Sequence, residues 1–145
     1  MNRERAVEKL NRLGFRGPEL YLAELIPAVE MAWADGVVGP NELAILEAYC
    51  EALVESLNRQ VGARLFTLDR ALKRMHRLVE RRLTPAERQL ALEALRDWSS
   101  GETGAAQRKR MVEWAQAVAA VDGSPVWDTR ELFWLQRVCT MLEVH

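Results

Sequence analysis

The sequence predicts an all-α fold of seven or eight helices in one domain. Apolar residues recur at helical spacing along nearly the whole chain, and no stretch shows the alternation and β-branched enrichment of a strand. The length of 145 residues suits a single domain, so residues 1–145 are assigned to one core. Apolar residues make up 49% of the chain and charged residues 28%, which is typical of a globular protein and excludes a disordered one.

Helices in the first half of the chain are delimited by glycine and proline. An amphipathic helix is expected over residues 2–13. The next apolar segment, residues 18–34, contains Pro27 and is expected to kink there or to divide into two shorter helices. A third helix with one apolar stripe is expected over residues 40 to about 57, and a short helix is expected to follow near Arg59.

Helices in the second half begin at recognisable caps. Thr67 can cap one helix through its hydroxyl. Thr84 is followed by Pro85 and Glu87, which places an N-cap, a proline at the first helical position and a glutamate at the third. Asp128 and Glu131 form a similar capping box before the last helix. The helices expected here cover residues 67–82, 84–98, 105–121 and 128–143.

Two segments of the chain resemble each other. In both, a helix ends at an Asp-Gly turn and the next helix begins with Glu-Leu. We interpret the match as an internal duplication, with pseudo-repeats at about 18–57 and 105–143 on either side of basic middle helices at about 59–98. Two such hairpins can pack around a pseudo-twofold axis. The matched pairs are Ala28 and Ala115, Ala32 and Ala119, Asp35 and Asp122, Gly36 and Gly123, Glu42 and Glu131, Leu43 and Leu132, Leu46 and Leu135, Cys50 and Cys139, and Leu53 and Leu142.

The repeated pattern, A-x-x-x-A-x-x-x-D-G followed by a short loop and E-L-x-x-L, resembles the TerB-like tellurite-resistance family. It also resembles the TerB-like module of some DnaJ-type co-chaperones. The resemblance is clearest at residues 31–49 and 114–135, and it implies about seven helices, a role in bacterial stress responses and no defined catalytic activity. It also implies acidic residues that matter for metal binding. Carried over to this sequence, these are Asp35, Glu42, Asp122 and Glu131.

The second repeat departs from the first in two ways. Its loop is longer and carries Trp127, which is a candidate for a protein interface. Ala117 stands where the first repeat has Glu30.

The acidic turns have two main interpretations. Carboxylate oxygens suit a hard cation such as Ca²⁺, Mg²⁺ or Mn²⁺, and a bound cation would offset the unfavourable position of Asp35 and Asp122 at the negative end of a helix dipole. Alternatively, Asp-Gly is a common turn pair, and Glu42 and Glu131 lie at the third helical position, where they cap their helices. The structural interpretation is preferred because capping alone accounts for both glutamates, and paired-carboxylate catalysis is the least favoured reading.

Charge is segregated along the chain. Residues 17–58 contain eight acidic residues and no lysine or arginine, whereas residues 59–88 contain nine basic residues and three acidic ones. Helical spacing places five of these basic residues on one face, which is either solvated and paired within the molecule or available to an acidic protein, a phosphate-rich ligand or a second copy. Nucleic acid is disfavoured because aromatic residues are not interleaved and the net charge is −1. The five residues are Arg70, Lys73, Arg74, Arg77 and Arg81.

Several classes of protein do not fit this sequence. The charged N-terminus lacks the apolar core of a signal peptide, and no apolar stretch is long enough to span a bilayer, so a cytoplasmic location without membrane insertion is expected. Two cysteines without a CxxC motif and only two histidines exclude a disulfide framework, a structural zinc and a multi-histidine metal site. Nucleophile elbows and phosphate-binding loops are missing, so no enzyme is expected.

Together these features predict a non-enzymatic, TerB-like stress-response module that acts through a protein partner, and they leave open whether a divalent cation at the acidic turns modulates it. The first alternative is a metal-independent helical adaptor that uses the face from Arg70 to Arg81. A second and less favoured alternative is a metal-assisted hydrolase that uses Asp35 and Asp122. The sequence leaves homo-oligomerisation open.

Overall fold

Seven α-helices and one 3₁₀ helix make up the part of the chain that the structure describes. The computed structural model describes residues 2–34, 38–63, 66–99, 104–121 and 129–142. No β-strand occurs within these ranges, so the prediction of an all-α fold is confirmed. The helices are α1 (Asn2–Arg12), the 3₁₀ helix (Gly17–Leu25), α2 (Ile26–Trp33), α3 (Pro40–Val61), α4 (Leu68–Glu80), α5 (Pro85–Trp98), α6 (Ala105–Ala120) and α7 (Thr129–Leu142).

One hydrophobic core joins all of the helices. Leu10 of α1, Met75 of α4, Leu92 of α5 and Val138 of α7 are all fully buried in it. Each such side chain stabilises the folded state by about 1.5–3 kcal/mol relative to its exposed form. The apolar faces of the helices therefore meet in one shared core.

The segment around Pro27 divides into two helices. A 3₁₀ helix runs to Leu25, and α2 begins at Ile26, so Pro27 occupies the second position of α2. A proline is tolerated there because the amide hydrogen at that position has no partner within the helix. Of the two predicted outcomes, two shorter helices is the one observed.

The end of α3 differs from the prediction. The helix continues to Val61, so Arg59 lies in its last turn and the separate short helix expected there is not formed. Gly62 ends α3 with a φ of 73°, a left-handed conformation that glycine adopts without steric cost. The side-chain amide of Asn58 then donates to the carbonyl of Phe66 (2.9 Å) and accepts from its backbone N–H (2.8 Å), which ties the end of α3 to the start of α4.

The predicted caps of α4 and α5 form as expected. The Thr67 hydroxyl accepts from the backbone N–H of Arg70 (3.3 Å). The Thr84 hydroxyl accepts from the N–H of Glu87 (3.1 Å), whose carboxylate accepts from the N–H of Thr84 in return (2.9 Å). The acceptance of a backbone hydrogen bond lowers the pKa of Glu87. Asp128, the predicted cap of α7, lies outside the described residues.

The two predicted hairpins contact each other reciprocally. Helix α2 lies along α6, while α3 contacts α6 and α7 contacts α2. The ring of Tyr49 on α3 stacks on Trp114 of α6 with a centroid distance of 4.7 Å, and the indole of Trp134 on α7 donates to the carbonyl of Pro27 on α2 (3.0 Å). Pro27 and Trp114 are equivalent positions in the two segments, 87 residues apart. The second helix of each hairpin therefore contacts the equivalent position on the first helix of the other hairpin. The internal duplication itself remains a prediction.

No helix within the described ranges is long and apolar enough to cross a membrane.

Candidate functional site

The predicted cation site falls largely outside the described part of the chain. Asp35 and Asp122 are not among the described residues, and neither is the side chain of Glu131. Glu42 lies at the third position of α3, where its Oε1 accepts from the N–H of Gly39 (2.9 Å). Glycine has no side chain to return this bond, so the pair forms half of a capping box. Among the described residues, no three His, Cys, Asp or Glu side chains cluster closely enough to hold a metal ion.

The predicted basic face gives a clearer result, because four of its five residues line one cavity. Arg70, Lys73, Arg74 and Arg77 of α4 line an open groove of about 430 Å³ between α4 and the start of the 3₁₀ helix. Arg81 lies outside this groove, where its Nη2 is 3.5 Å from Oε1 of Glu87. Trp127, the other predicted interaction residue, lies outside the described residues.

This cavity, the basic groove, combines positive charge with an apolar floor. Five cationic side chains line it, against the single carboxylate of Glu19. The apolar part of its lining consists of the exposed Pro18 and the buried Leu22, Phe66 and Ala71. The lining residues are Arg16, Pro18, Glu19, Leu22, Phe66, Thr67, Arg70, Ala71, Lys73, Arg74 and Arg77.

Most of the positive charge in the groove is open to a ligand. Arg16, Arg70 and Arg77 are exposed, and none of their guanidinium groups forms an ion pair with a carboxylate of the described residues. Lys73 is 3.1 Å from Asp69 on the same helix, but both side chains are more than two-thirds exposed and such a pair is weak. The groove therefore retains a surplus of unneutralised cations.

Arg74 departs from the predicted exposed face. It is only 8% exposed, and its guanidinium lies 3.9 Å from the ring centroid of Phe15. Its Nη2 donates to the carbonyl of Leu13 (3.3 Å), and its Nε is buried without a partner among the described residues. Burial lowers the pKa of the Arg74 guanidinium, while the nearby Glu19 opposes this effect. Arg74 therefore supports the groove from within and links α4 to the segment that follows α1.

Sequence reasoning missed Arg16, the fifth cation of the groove. Arg16 precedes the 3₁₀ helix and shares no helical register with α4. Its neighbour Gly17 has a φ of 58°, so the chain turns there in a conformation that favours glycine. Only the packing of this turn against α4 brings Arg16 to the groove.

A second feature that sequence reasoning missed is a buried polar network around Glu24. This residue is 2% exposed, and its carboxylate accepts from Nε (3.0 Å) and Nη2 (2.7 Å) of Arg110. It also accepts from the hydroxyl of Tyr49 (2.6 Å) and the amide of Gln107 (3.3 Å). The hydrogen bond to Glu24 raises the pKa of Arg110, and burial followed by the charge of Glu24 raises that of Tyr49. Every carboxylate oxygen here has donors, so the network holds the fold together.

A second cavity, of about 370 Å³, lies between the end of α2, α5 and α7. Glu30 lines it and is 3% exposed, with its Oε1 at 3.3 Å from Nη1 of Arg88 and 3.8 Å from Nε of Arg82. Burial raises the pKa of Glu30, and Arg88 and Arg82 oppose the shift. Arg137 and the 68% exposed Phe133 lie at the same cavity.

The two cysteines show no sign of activation. Burial and the charge of Glu47 raise the pKa of Cys50 to about 12. Cys139 is half-buried, and burial raises its pKa as well. Both therefore remain protonated thiols at neutral pH, which is unfavourable for nucleophilic or redox chemistry.

Fold and site together describe an all-α domain with a cationic, apolar-floored groove. Comparison of the chain with models of known protein families, with curated proteins and with solved structures finds no match.

Proposed function

We propose that this protein is a non-enzymatic interaction module that binds an acidic segment of a partner protein in the basic groove. The observation that supports this proposal most directly is the composition of the groove, with five cations against the single carboxylate of Glu19 above an apolar floor. Guanidinium groups form charge-assisted and often bidentate hydrogen bonds with carboxylates. The buried Leu22 and Phe66 would contact apolar side chains between the acidic ones.

A protein segment fits this groove better than a nucleic acid. The aromatic residue of the groove, Phe66, is 8% exposed and lies in the floor, so it is poorly placed to stack on a base. The chain carries a net charge of −1, so the positive field is local to this groove. A volume of about 430 Å³ matches a few residues of an extended or helical segment.

The binding energy would come from several weak terms. Each exposed ion pair contributes about 0.2–1 kcal/mol and is weakened by salt. The contribution from burial of apolar surface on the floor is not weakened by salt. Affinity should therefore fall between low and physiological ionic strength without vanishing. This mixed salt response distinguishes the groove from a purely electrostatic patch.

A labelled peptide tests this proposal. The probe is a fluorescent, N-acetylated and C-amidated ten-residue peptide of glutamate with two leucines, measured by anisotropy at low salt. We expect the double substitution Arg70→Glu, Arg77→Glu to weaken binding at least about tenfold. The matched control is the charge reversal of an exposed cation elsewhere, Lys109→Glu, which should change affinity less than about twofold.

Two results would overturn the proposal. One is the absence of saturable binding of this peptide by the wild-type protein at low salt. The other is an equal loss of affinity in Lys109→Glu and in the groove variant, which would show that net charge alone attracts the peptide. A glutamate peptide in which alanine replaces both leucines should bind more weakly if the apolar floor takes part.

The TerB-like resemblance supplies a second part of the proposal, a stress-response setting in which a divalent cation modulates the module. The observation that favours it is the repeated Asp-Gly turn followed by a glutamate, at Asp35 and Glu42 and again at Asp122 and Glu131. A cation bound only by the folded form at a hundredfold excess over its dissociation constant adds about 2.7 kcal/mol to the free energy of unfolding.

Thermal melting separates this cation-responsive form from a metal-independent adaptor. Chelator-treated protein is melted alone and with Ca²⁺, Mg²⁺ or Mn²⁺, and the double variant Asp35→Asn, Asp122→Asn serves as the control. A selective increase in Tm that the variant loses supports the cation site. An unchanged Tm with all three ions would leave the metal-independent adaptor as the function, with the groove as its binding surface.

A further inference from the structure

The basic groove holds more positive charge than the carboxylates of a short acidic segment readily neutralise. Its five cations and one carboxylate leave a surplus of four positive charges, and three remain even if the weak pair between Lys73 and Asp69 is discounted. The volume of about 430 Å³ holds only a few residues of a partner, and at least one of them must be apolar to cover Leu22 and Phe66. A side chain with two negative charges therefore matches the groove better than a side chain with one.

Arg74 is the most buried cation of the groove, and its charge is not paired. The residue is 8% exposed, and its guanidinium forms no ion pair with a carboxylate of the described residues. Burial lowers the pKa of Arg74, the charge of Glu19 raises it, and the charge of Arg77 lowers it. A buried charge without an ionic partner costs free energy, and this cost falls when an anion binds nearby.

The effect of Arg74 on a ligand comes from its charge and not from a hydrogen bond of its buried Nε. Water and salt screen a buried charge less than they screen an exposed one. Arg74 lines the groove beside the exposed Arg77, so an anion bound by Arg77 also experiences the charge of Arg74. The groove should therefore retain a preference for a highly charged anion at physiological ionic strength.

Exposed donors on both walls of the groove can bind the anion directly. Arg70 and Arg77 lie two turns apart on α4, and Arg16 lies on the opposite wall before the 3₁₀ helix. Thr67 lines the same cavity, and its hydroxyl, which accepts from the N–H of Arg70, can still donate its own proton. A carboxylate offers two oxygens to these donors, whereas a phosphate monoester offers three and carries up to two charges. The number of donors therefore favours a phosphate.

We propose that the basic groove binds a phosphorylated serine or threonine within the acidic segment of the partner. This inference rests on the proposed function, because it names the residue of that segment that the groove recognises. Arg16, Arg70 and Arg77 donate to the phosphate oxygens. The buried charge of Arg74 stabilises the bound dianion, and a neighbouring apolar side chain of the segment packs on the floor. Phosphorylation of the partner then controls its binding.

Four fluorescent peptides with blocked termini test the requirement for phosphate in the full chain. Each has a leucine on either side of a centre that is phosphoserine, serine, glutamate or a pair of glutamates. The pair carries nearly the same charge as phosphoserine at about pH 7.5, because the second pKa of the phosphate is about 6. At an ionic strength of about 0.15 M, we expect anisotropy to show that the phosphoserine peptide binds at least about tenfold more tightly than each of the others.

Substitutions on α4 assign the phosphate to the groove. Arg77→Gln should weaken binding of the phosphoserine peptide at least about tenfold. Arg74→Gln removes the buried charge, so it should weaken the phosphoserine peptide more than the ten-residue glutamate–leucine peptide. Retained binding of the latter shows that this variant is folded, and the exposed Arg77 carries the test if it is not. Arg81→Gln, on the chain just after the same helix and outside the groove, is the matched control and should leave both affinities unchanged.

Three outcomes would overturn the proposal. Equal affinity for phosphoserine and for the glutamate pair would show that the groove responds to charge alone. Displacement of the phosphoserine peptide by inorganic phosphate at the dissociation constant of the peptide itself would indicate a simple anion site. Equal losses in Arg77→Gln and Arg81→Gln would place the phosphate outside the groove. If the ten-residue glutamate–leucine peptide still binds in these cases, the proposed function stands without the preference for phosphate, whereas failure of both peptides to bind would overturn both.

Discussion

Glu24 and Arg110, 86 residues apart in the sequence, form a bidentate ion pair that joins the 3₁₀ helix to α6. Nε of Arg110 lies 3.0 Å from Oε2 of Glu24, and its Nη2 lies 2.7 Å from Oε1. The hydroxyl of Tyr49 completes the network from α3 at 2.6 Å. Three helices that are distant along the chain are therefore held at one buried carboxylate.

Removal of Arg110 should destabilise the fold. Arg110→Met keeps the apolar stem of the side chain but leaves the buried carboxylate of Glu24 without its charged partner, which costs 3–5 kcal/mol for a fully buried pair. Because the side chain of Arg110 is 34% exposed, we expect a smaller loss of about 2 kcal/mol in the free energy of urea unfolding. Lys109→Met, which removes the exposed partner of Glu113, should cost less than about 0.5 kcal/mol. Equal losses in the two variants would contradict this account.

The stability of the protein should also depend on the protonation of Glu30. Burial raises the pKa of Glu30 in the folded state. The charges of Arg88 and Arg82 lower this pKa, and the charge of Glu87 raises it slightly. The folded state then binds a proton more tightly than the unfolded state does. Stability from this group is present below its unfolded pKa and is lost as pH rises through its folded pKa.

A neutral variant isolates this pH dependence. In urea unfolding from pH 4 upward, wild-type protein should lose free energy of unfolding relative to Glu30→Gln as pH rises above about 4.3, the ordinary pKa of a glutamate. The comparison removes the contribution of all other groups, since these are common to both proteins. A difference between the two proteins that is constant with pH, or that changes in the opposite direction, would show that the arginines dominate over burial.

Asn58 is expected to stabilise both the fold and the basic groove. Its amide makes two hydrogen bonds to the backbone of Phe66, at 2.9 and 2.8 Å, and Phe66 lines the groove. Asn58→Ala should reduce the free energy of unfolding by about 1–3 kcal/mol, because it leaves both backbone groups without these partners. It should also weaken binding of the glutamate–leucine peptide. Asn41→Ala, at an exposed position near the start of α3, is the control and should change neither quantity.

The thiols should react slowly in the native protein. The pKa of Cys50 is raised to about 12, so its thiolate is scarce at neutral pH, and the residue is fully buried. We expect Cys50 of a Cys139→Ser variant to react with an aromatic disulfide reagent only at the rate of unfolding. The same variant in concentrated denaturant should release one equivalent at once. Rapid reaction of the native variant would point instead to an accessible, activated thiol.

Local features of the fold follow from the sequence because they depend on neighbours. Thr84 and Glu87 are three residues apart, so their reciprocal capping bonds form wherever that helix begins. Pro27 divides its segment because it cannot continue an existing helix. Arg59 shows the limit of this reasoning, since helix α3 extends two residues past it until Gly62. The free energy that fixes where a helix ends is small, so packing can move that end by about one turn.

The groove was only partly predictable. Arg70, Lys73 and Arg77 share a face because 3.6 residues make one helical turn. Arg74 belongs to the same set in the sequence, yet it lies under Phe15, because the segment after α1 that contains Leu13 and Phe15 covers that side of α4. A helical pattern orders side chains around one axis but does not say which side a neighbouring helix will cover.

The sequence by itself determined the helical fold, the caps and the segregation of charge, since each depends on residues within a few positions of one another. Only the tertiary structure decided that Arg16 joins α4 at the groove, that Glu24 meets Arg110 and that Phe133 stands beside Glu30 and Arg137. These groups lie far apart along the chain. Their meeting depends on how the helices share one core, and that packing is selected by the sum of many apolar contacts, none of which is encoded in a local pattern.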